Sequence, residues 1–241
     1  MGHFNFIIQQ SCHNSWDAFF TSQPVRNELT KIEKSISSQV ISPAPNDVFK
    51  VFQCDLEKLK VVIMGQDPYP QPNVATGRSF EVGNISSWGA LRRKNSNASL
   101  RNILKLLHHN KRMTSKVQGI KVVMNDNKFT SNILPPNKIF ANLEQQGVLF
   151  LNAALTCPQG STKKSNAHAK IWSDFTKLLL DFIDANKKNL YWLLWGEAKK
   201  HDRCIRYGTK YYSYHPRNNL IGPKSFYSEN HFSKIKCIHW A

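Results

Sequence analysis

The sequence predicts an α/β fold: a single-domain, three-layer sandwich over residues 1–241 with a central, mainly parallel four-stranded sheet flanked by helices. Four runs of strand length alternate with segments of helical periodicity, and the first three runs are apolar almost throughout. Such runs are typical of strands buried on both faces, and their alternation with helices favours right-handed crossovers between parallel strands. No repeat and no Pro/Gly/Ser-rich linker divides the chain, so one domain is the simpler prediction.

The predicted elements follow from these patterns in chain order. The strands are expected at Leu59 to Met64, Val148 to Leu151, Leu190 to Trp195 and Lys210 to Tyr214. Helices are expected at 16–38, at 46–52 with Asn46 as its cap, along the apolar faces within 100–107 and 175–183, and from Asn137 to Gln146. Residues 1–15 are expected to form a loosely ordered N-terminal extension, 111–134 an irregular insertion, and 226–240 a last helix and tail.

The charge of the chain favours a polyanionic partner. Lysine and arginine number 33 against 16 aspartate and glutamate, which gives a net charge of +17. Nucleic acid is the commonest polyanion that such a surface attracts, although a lysine-rich composition without functional meaning is the alternative. With 41% hydrophobic and 20% charged residues, the chain can bury a substantial core and is not a disordered tail.

The cysteine pattern argues against several kinds of site. The five cysteines are an odd number, lie far apart and form no C-x-x-C motif. This argues against a disulfide framework, a cysteine-rich zinc site and an iron–sulfur cluster, and it favours a reducing compartment. No run approaches 18 apolar residues and the first ten residues make a poor signal peptide, so no membrane association is expected.

Polar side chains follow the predicted strands at the points where they end. Gln66 and Asp67 follow the first strand, Asn152 the second, Glu197 the third and His215 the fourth. Ligands of open parallel sheets bind outside the carboxyl ends of the strands, so these side chains are expected to converge on one site. The alternative is that they are polar only because loops begin there.

Several segments resemble motifs of family 1 uracil-DNA glycosylases, in the order of that family, along roughly residues 16 to 240. The water-activating loop of the family is similar to Gly65-Gln66-Asp67-Pro68-Tyr69-Pro70. Further matches are PAPNDVF at 43–49, GRSF at 77–80, GVLFLNAALT at 147–156, SNAH at 165–168, LWG at 194–196, HP at 215–216 and HFS at 231–233. Each motif alone is weak, whereas all of them in this order are highly specific.

The resemblance implies a monofunctional uracil-DNA glycosylase that hydrolyses the N-glycosidic bond of deoxyuridine after base flipping and initiates base excision repair, with no metal or organic cofactor. It implies that Asp67 stabilises the oxocarbenium-like sugar and orients the attacking water. It also implies that a neutral His215 donates a hydrogen bond to uracil O2. Of the other histidines, His168 is expected to anchor a loop, and His108 and His109 to lie at the surface.

A uracil pocket is implied for Gln66, Tyr69, Phe80 and Asn152. The Asn152 amide would accept from uracil N3–H and donate to O4, a pattern that cytosine presents in reverse. Phe80 would stack on the base, the Gln66 backbone would contact it, and Tyr69 would fill the space where thymine carries its methyl group. The alternative for each side chain is a purely structural role in a turn or in the core.

DNA contacts are implied for five further residues. Leu220 is the nearest candidate for the leucine that the family inserts into the vacated base stack, and Arg217 and Lys224 flank it. Ser99 lies in the region of the family's DNA-compressing loop, and Lys163 in the loop after the second predicted strand. Cations on these loops would give salt-sensitive, sequence-independent binding.

Three departures from the family pattern leave alternatives open. Pro70 replaces the usual histidine, and the loop after His215-Pro216 lacks the usual Ser-Pro-Leu-Ser order. Segment 111–134 looks longer than the corresponding connection of the family, which would fit either a partner-binding insertion or a tolerated loop. One alternative is a glycosylase-like DNA-binding or processivity subunit with weak or lost activity. Another is a relative that removes thymine or other damaged bases, against which Tyr69 argues.

The expected partners are single- and double-stranded DNA containing uracil, bound by a monomer. A protein inhibitor or a replication partner is a further candidate. The expected compartment is the cytoplasm of a bacterium, or the nucleus or cytoplasm of a eukaryotic or virus-infected cell.

Overall fold

The computed structural model describes residues 3–92, 97–160, 168–218 and 222–241 and confirms the predicted fold class. Its strands are β1 (Ile41–Ser42), β2 (Val61–Gly65), β3 (Val148–Asn152), β4 (Cys157–Pro158), β5 (Tyr191–Trp195) and β6 (Thr209–Ser213). Four of them form one sheet in the order β3-β2-β5-β6, in which every pairing is parallel. The other two strands were not predicted; they are two residues long and pair antiparallel in a separate ribbon.

Helices cover both faces of the sheet. The α-helices are α1 (His3–Ser11), α2 (Asp17–Phe20), α3 (Gln23–Ile36), α4 (Ala98–Arg112), α5 (Ile120–Asn125), α6 (Asn127–Thr130), α7 (Pro136–Gln145), α8 (Ser173–Asn186), α9 (Phe226–Glu229) and α10 (His231–Lys234). The 3₁₀ helices lie at Asn14–Trp16, Pro45–Asp47, Lys50–Gln53, Leu56–Lys58, Trp88–Arg92 and Gly196–Cys204. Within the described residues, no helix has the length and apolarity needed to cross a membrane.

The strands are apolar throughout because two hydrophobic clusters lie on opposite faces of the sheet. In β2, Val62 and Met64 pack with α1, α3 and α8, whereas Val61 and Ile63 pack with α4, α7, α9 and α10. The same alternation continues in β3 and β5. A sheet covered on both faces therefore explains the unbroken apolar runs of the sequence.

The N-terminal segment is not the loosely ordered extension that the sequence predicted. Helix α1 buries Phe4, Ile7 and Ile8, whose spacing places them on one helical face. The Phe4 ring meets the Phe49 ring edge to face, with 5.1 Å between centroids. The prediction was wrong because so short a helix depends on tertiary packing, for which three apolar positions were the only signal.

Segment 111–134 is more regular than predicted. After α4 ends, helices α5 and α6 follow and bury Val123, Met124 and Phe129. Asp126 accepts a hydrogen bond from the first turn of α6 and contacts His108 Nε2 of α4 at 3.1 Å. His108 is only 2% exposed, so the expectation that it lies at the surface was wrong. Asp126 connects the segment to α4. Because it is polar, it interrupts the apolar pattern of the segment in the sequence.

Several predicted helix boundaries also differ from the structure. The expected helix at 46–52 is replaced by two 3₁₀ turns, and the expected helix at 16–38 is divided into α2 and α3 before Gln23. Helix α7 begins at Pro136 rather than at Asn137, since the fixed φ of proline suits a first helical position. The expected last helix consists of two short ones, α9 and α10.

Candidate active site

The carboxyl ends of the parallel strands border an open cleft of about 570 Å³. Eight of the residues predicted for the site line this cleft: Gln66, Asp67, Tyr69, Phe80, Ser99, Asn152, His215 and Arg217. Lys224 is exposed outside the lining, and its carbonyl accepts a hydrogen bond from Tyr214 N at 2.8 Å. Lys163 and Leu220 lie outside the described residues.

The loop 66–70 that carries Asp67 is held through its own carbonyl groups. The carbonyl at 66 accepts from Ala154 N (3.0 Å), that at 69 from Ser42 Oγ (2.8 Å) and that at 70 from Gly160 N (2.7 Å). Ser42 belongs to the β1–β4 ribbon, and Gly160 lies two residues after its second strand. Ala154 thus fixes the backbone before the carboxylate, and the ribbon with Gly160 fixes it after the carboxylate.

Two weak acids, one in this loop and one beside it, stay protonated at neutral pH. Burial raises the pKa of Tyr69 to about 12. Burial, and after it the charge of Asp67, raises the pKa of Cys157 to about 12. The Cys157 thiol can therefore donate to the Pro68 carbonyl, 3.4 Å away, and Tyr69 adds no negative charge to the cleft.

Gly65 allows the Asn152 amide to lie across β2. The two residues are register partners, and a Cβ on Gly65 would lie 2.3 Å from Asn152 Oδ1 and 2.8 Å from Ser79 Cβ. Ser79 is itself fixed, because its N–H donates to Phe150 O at 2.9 Å and its hydroxyl to Ile63 O at 3.2 Å. The amide, in a side chain of 5% exposure, is thus confined between neighbours at the wall of the cleft.

Phe80 forms an aromatic wall of the cleft in a conformation that costs free energy. Its φ is +65°, in the left-handed region that residues other than glycine seldom adopt. Its ring lies edge to face with Trp195, at 5.4 Å between centroids, and 5.8 Å from the ring of His215. The packing of these rings holds the phenyl group at the cleft.

His215 has a defined proton position. Its Nδ1 accepts a hydrogen bond from Arg217 N at 3.0 Å, so the neutral ring carries its proton on Nε2. Burial, and after it the charge of Arg217, lowers the pKa of His215 and favours the neutral ring. Gly196, at φ +59°, has room only for hydrogen, since a Cβ would lie 2.9 Å from His215 Cβ. Asn102 Nδ2 of α4 anchors the turn by donating to Pro216 O at 2.7 Å.

Sequence reasoning missed an arginine in the lining of the cleft. Arg78 is 8% exposed and forms ion pairs with Glu144 of α7 and with Glu81, the latter at 3.3 Å. Its position within the GRSF motif was the available signal. Glu197, an exposed carboxylate, also lines the cleft, and the strand-end pattern had pointed to it.

His168 lies outside the cleft lining and has a structural environment. Its Nδ1 lies 2.8 Å from Thr156 Oγ1 and its Nε2 2.9 Å from Gln39 Oε1, so both ring nitrogens are engaged. Across the part of the chain that is described, no group of three or more His, Cys, Asp or Glu could hold a metal ion. Catalysis without a cofactor stays a prediction.

Comparisons with known proteins give one family. A family model described as the uracil DNA glycosylase superfamily matches residues 51–236. The uracil-DNA glycosylase of Pasteurella multocida is 32% identical over 82% of this chain and 78% of its own. That of Flavobacterium johnsoniae is 29% identical over 95% of this chain and 98% of its own.

Solved structures share the fold. Mimivirus uracil-DNA glycosylase superposes with a TM-score of 0.71 at 24% identity, covering 97% of this chain and 84% of that one. A point mutant of the UNG from Nitratifractor salsuginis gives a TM-score of 0.75 at 19% identity, covering 97% of both chains. A mimivirus UNG variant with a TM-score of 0.69 was solved in complex with UGI.

Proposed function

We infer the reaction from one premise: the chain belongs to the uracil DNA glycosylase superfamily. It is a uracil-DNA glycosylase, a monofunctional hydrolase that breaks the N-glycosidic bond of deoxyuridine in DNA and initiates base excision repair. The deoxyuridine nucleotide must leave the base stack to enter the cleft. The observation that carries the assignment of roles is the convergence of Asp67, Asn152 and His215 on that one cleft.

We propose that Asp67 acts on the sugar. As the bond between C1′ and N1 breaks, its electron pair leaves with the base and positive charge develops on the sugar ring. The Asp67 carboxylate stabilises that charge and orients the water whose oxygen bonds to C1′. The carbonyl anchors of loop 66–70 support this role, because a fixed carboxylate loses no free energy to reorganisation.

His215 is proposed to stabilise the negative charge that develops on the departing base. In our proposal its Nε2–H donates a hydrogen bond to uracil O2, where that charge accumulates. The bond from Arg217 N to Nδ1 supports this assignment, because it leaves the proton on the opposite nitrogen. The lowered pKa also supports it, since a neutral ring can donate without transferring a proton.

Asn152 and Tyr69 are proposed to select the base. The Asn152 amide accepts from N3–H and donates to O4, and cytosine offers the reverse pattern at both positions. Tyr69 fills the space beside C5 and excludes the thymine methyl group. Phe80 stacks on the ring, and the Gln66 backbone contacts it. The fixed amide across Gly65 supports this division of roles.

DNA handling is proposed for Ser99, Lys163, Arg217, Leu220 and Lys224. Ser99 and Arg217 have the stronger support, because both line the cleft. Leu220 is the proposed wedge in the base stack, and the lysines contact phosphates.

The alternative functions have less support than the glycosylase. A DNA-binding subunit would have no need for a carboxylate, an amide and an imidazole in one cleft. A lyase step needs an amine nucleophile, and among the described residues no lysine lines the cleft. A thymine-removing relative would need a small residue where Tyr69 stands.

Other partners and the compartment follow from weaker observations. We propose that UGI binds this protein, as it does the mimivirus variant, and that the protein acts as a monomer. A reducing compartment, the cytoplasm of a bacterium or the cytoplasm or nucleus of a eukaryotic or infected cell, is supported by five free cysteines.

One gel assay tests the reaction. Purified protein is incubated with single-stranded oligonucleotides that differ only in carrying one uracil, one thymine or one cytosine, and alkali then cleaves any abasic site. Scission is expected at uracil alone. An oligonucleotide with a preformed abasic site controls the alkali step. An intact uracil strand, or cleavage at thymine as well, would overturn the proposed function.

A further inference from the structure

Helix α4 carries two cationic side chains beside the loop that contains His215. The helix starts at the cleft, where Ser99 forms part of the lining, and Asn102 Nδ2 donates to Pro216 O directly after His215. Arg101 and Lys105 are four residues apart, so they share one face of the helix. Both are half-buried, which keeps their charges close to the protein surface.

The position of the Lys105 ammonium is fixed by Tyr227 of α9. Lys105 Nζ donates to the Tyr227 hydroxyl at 2.8 Å and lies 4.8 Å from the centroid of its ring. A positioned ammonium loses less side-chain entropy when it binds an anion than a freely rotating one does.

The two cations also repel one another. Burial, and after it the charge of Arg101, lowers the pKa of the Lys105 amine. An anion that contacts both side chains would offset this repulsion by Coulomb attraction to each of them. The substrate supplies such an anion at every nucleotide, since each is joined to the next by a phosphate.

We propose that Arg101 and Lys105 together bind one backbone phosphate of the DNA strand that flanks the flipped nucleotide. Arg101 contributes a planar pair of donors and Lys105 a point charge. The site lies beyond the His215 loop, on a rigid helix. The inference rests on the proposed function, because DNA is the ligand.

The salt dependence of DNA binding measures this contact. The probe is a duplex with one 2′-fluoro-deoxyuridine, which resists cleavage, and its Kd is measured by anisotropy between 50 and 200 mM NaCl. Arg101→Gln and Lys105→Met are each expected to raise the Kd. The double variant is expected to reduce the slope of log K against log salt by about 0.9, because the two cations together neutralise one phosphate. Lys105→Arg keeps the charge and is expected to retain the slope of the wild type.

Lys188 provides a matched control. Its Nζ lies 5.2 Å from the centroid of the Tyr207 ring, so it is also a lysine held over a tyrosine. It precedes β5 and therefore lies towards the opposite edge of the sheet from the cleft. Lys188→Met removes the same charge and is expected to leave the slope unchanged.

The outcomes separate this site from the proposed function. An unchanged slope in the double variant of Arg101→Gln and Lys105→Met, or an equal loss of slope in Lys188→Met, would overturn the phosphate site. Melting curves of the variants establish that they are folded at the assay temperature. Cleavage of uracil DNA by the wild type, measured in parallel, tests the function itself, which would stand even if the phosphate site failed.

Discussion

In the proposed mechanism, base selection is concentrated in the side chain of Asn152. Its amide has a donor and an acceptor in fixed positions, because Gly65 leaves space for the side chain and Ser79 borders it. A single amide can therefore distinguish two bases that differ by reversal of one donor–acceptor pattern. The family motif predicted Asn152. That position 65 must lack a side chain to leave space for the amide became apparent only from the register of β2 and β3.

Asn152→Asp is expected to shift selection towards cytosine. The carboxylate accepts hydrogen bonds and would oppose uracil O4, so cleavage of uracil should fall by about 10- to 100-fold while cleavage of cytosine becomes detectable. Single-turnover rates on matched oligonucleotides measure both. Asn218→Asp adds the same charge at another position of the cleft lining and should gain no activity on cytosine. A variant that treats both bases alike would refute the role of the amide.

Tyr69→Ala is expected to admit thymine. Removing the ring opens space beside C5, so abasic sites should form at thymine in single-stranded DNA. Tyr69→Phe serves as the control, because it keeps the ring and removes only a hydroxyl that is neutral in any case. If thymine remains untouched in Tyr69→Ala, another group excludes the methyl group.

At the scale of elements, the parallel strands bring distant residues to one cleft. The apolar runs and the polar residues after them were sufficient to predict four strands and the side of the sheet that carries the site. The β1–β4 ribbon could not be predicted, because two-residue strands have no periodicity, yet Ser42 in it anchors the loop of Asp67. Arg78 could not be assigned either, because its partner Glu144 is 66 residues away.

Gly65→Ala tests the junction of β2 and β3. The added methyl group would overlap Asn152 Oδ1 and must displace the amide, so uracil cleavage should fall by at least about 10-fold in a protein that still folds. Gly89→Ala is the control, because its nearest neighbour, Ser87 Oγ, would lie 3.7 Å from the new Cβ. The measurement is the single-turnover rate with a melting curve for each variant. Normal activity in Gly65→Ala would contradict the close approach.

At the scale of the molecule, charge and burial set the response to solution conditions. The net charge of +17 suits a protein that searches DNA without regard to sequence. We propose that residues 1–241 act as one domain, since both hydrophobic clusters share one sheet. His231 is buried, its ring stacks on that of Tyr211 at 5.1 Å between centroids, and its Nδ1 accepts a hydrogen bond from Trp195 Nε1 at 3.0 Å.

His231 is expected to make stability depend on pH. Burial, and after it Lys234, lowers its pKa to about 4, against about 6.5 in an unfolded chain. Between these values the unfolded state binds more protons, so the free energy of unfolding falls as the pH decreases, by on the order of 3 kcal/mol at most. Melting temperatures from pH 7 to 4.5 should therefore fall less steeply in His231→Asn than in the wild type.

An exposed histidine provides the control for this titration. His239→Asn should follow the wild-type curve, because His239 lies at the surface. Equal slopes in the wild type and in His231→Asn would show that the buried ring does not titrate in this range.

We propose that Asp67 acts on the breaking bond and not on DNA binding. One duplex carrying uracil, presented to the wild type and to Asp67→Asn, provides both the Kd and the single-turnover rate. For Asp67→Asn we expect a Kd within a few-fold of wild type and a rate lower by at least about 100-fold, because charge stabilisation at the transition state is lost. An unchanged rate, or a rate that falls only in proportion to weaker binding, would contradict it.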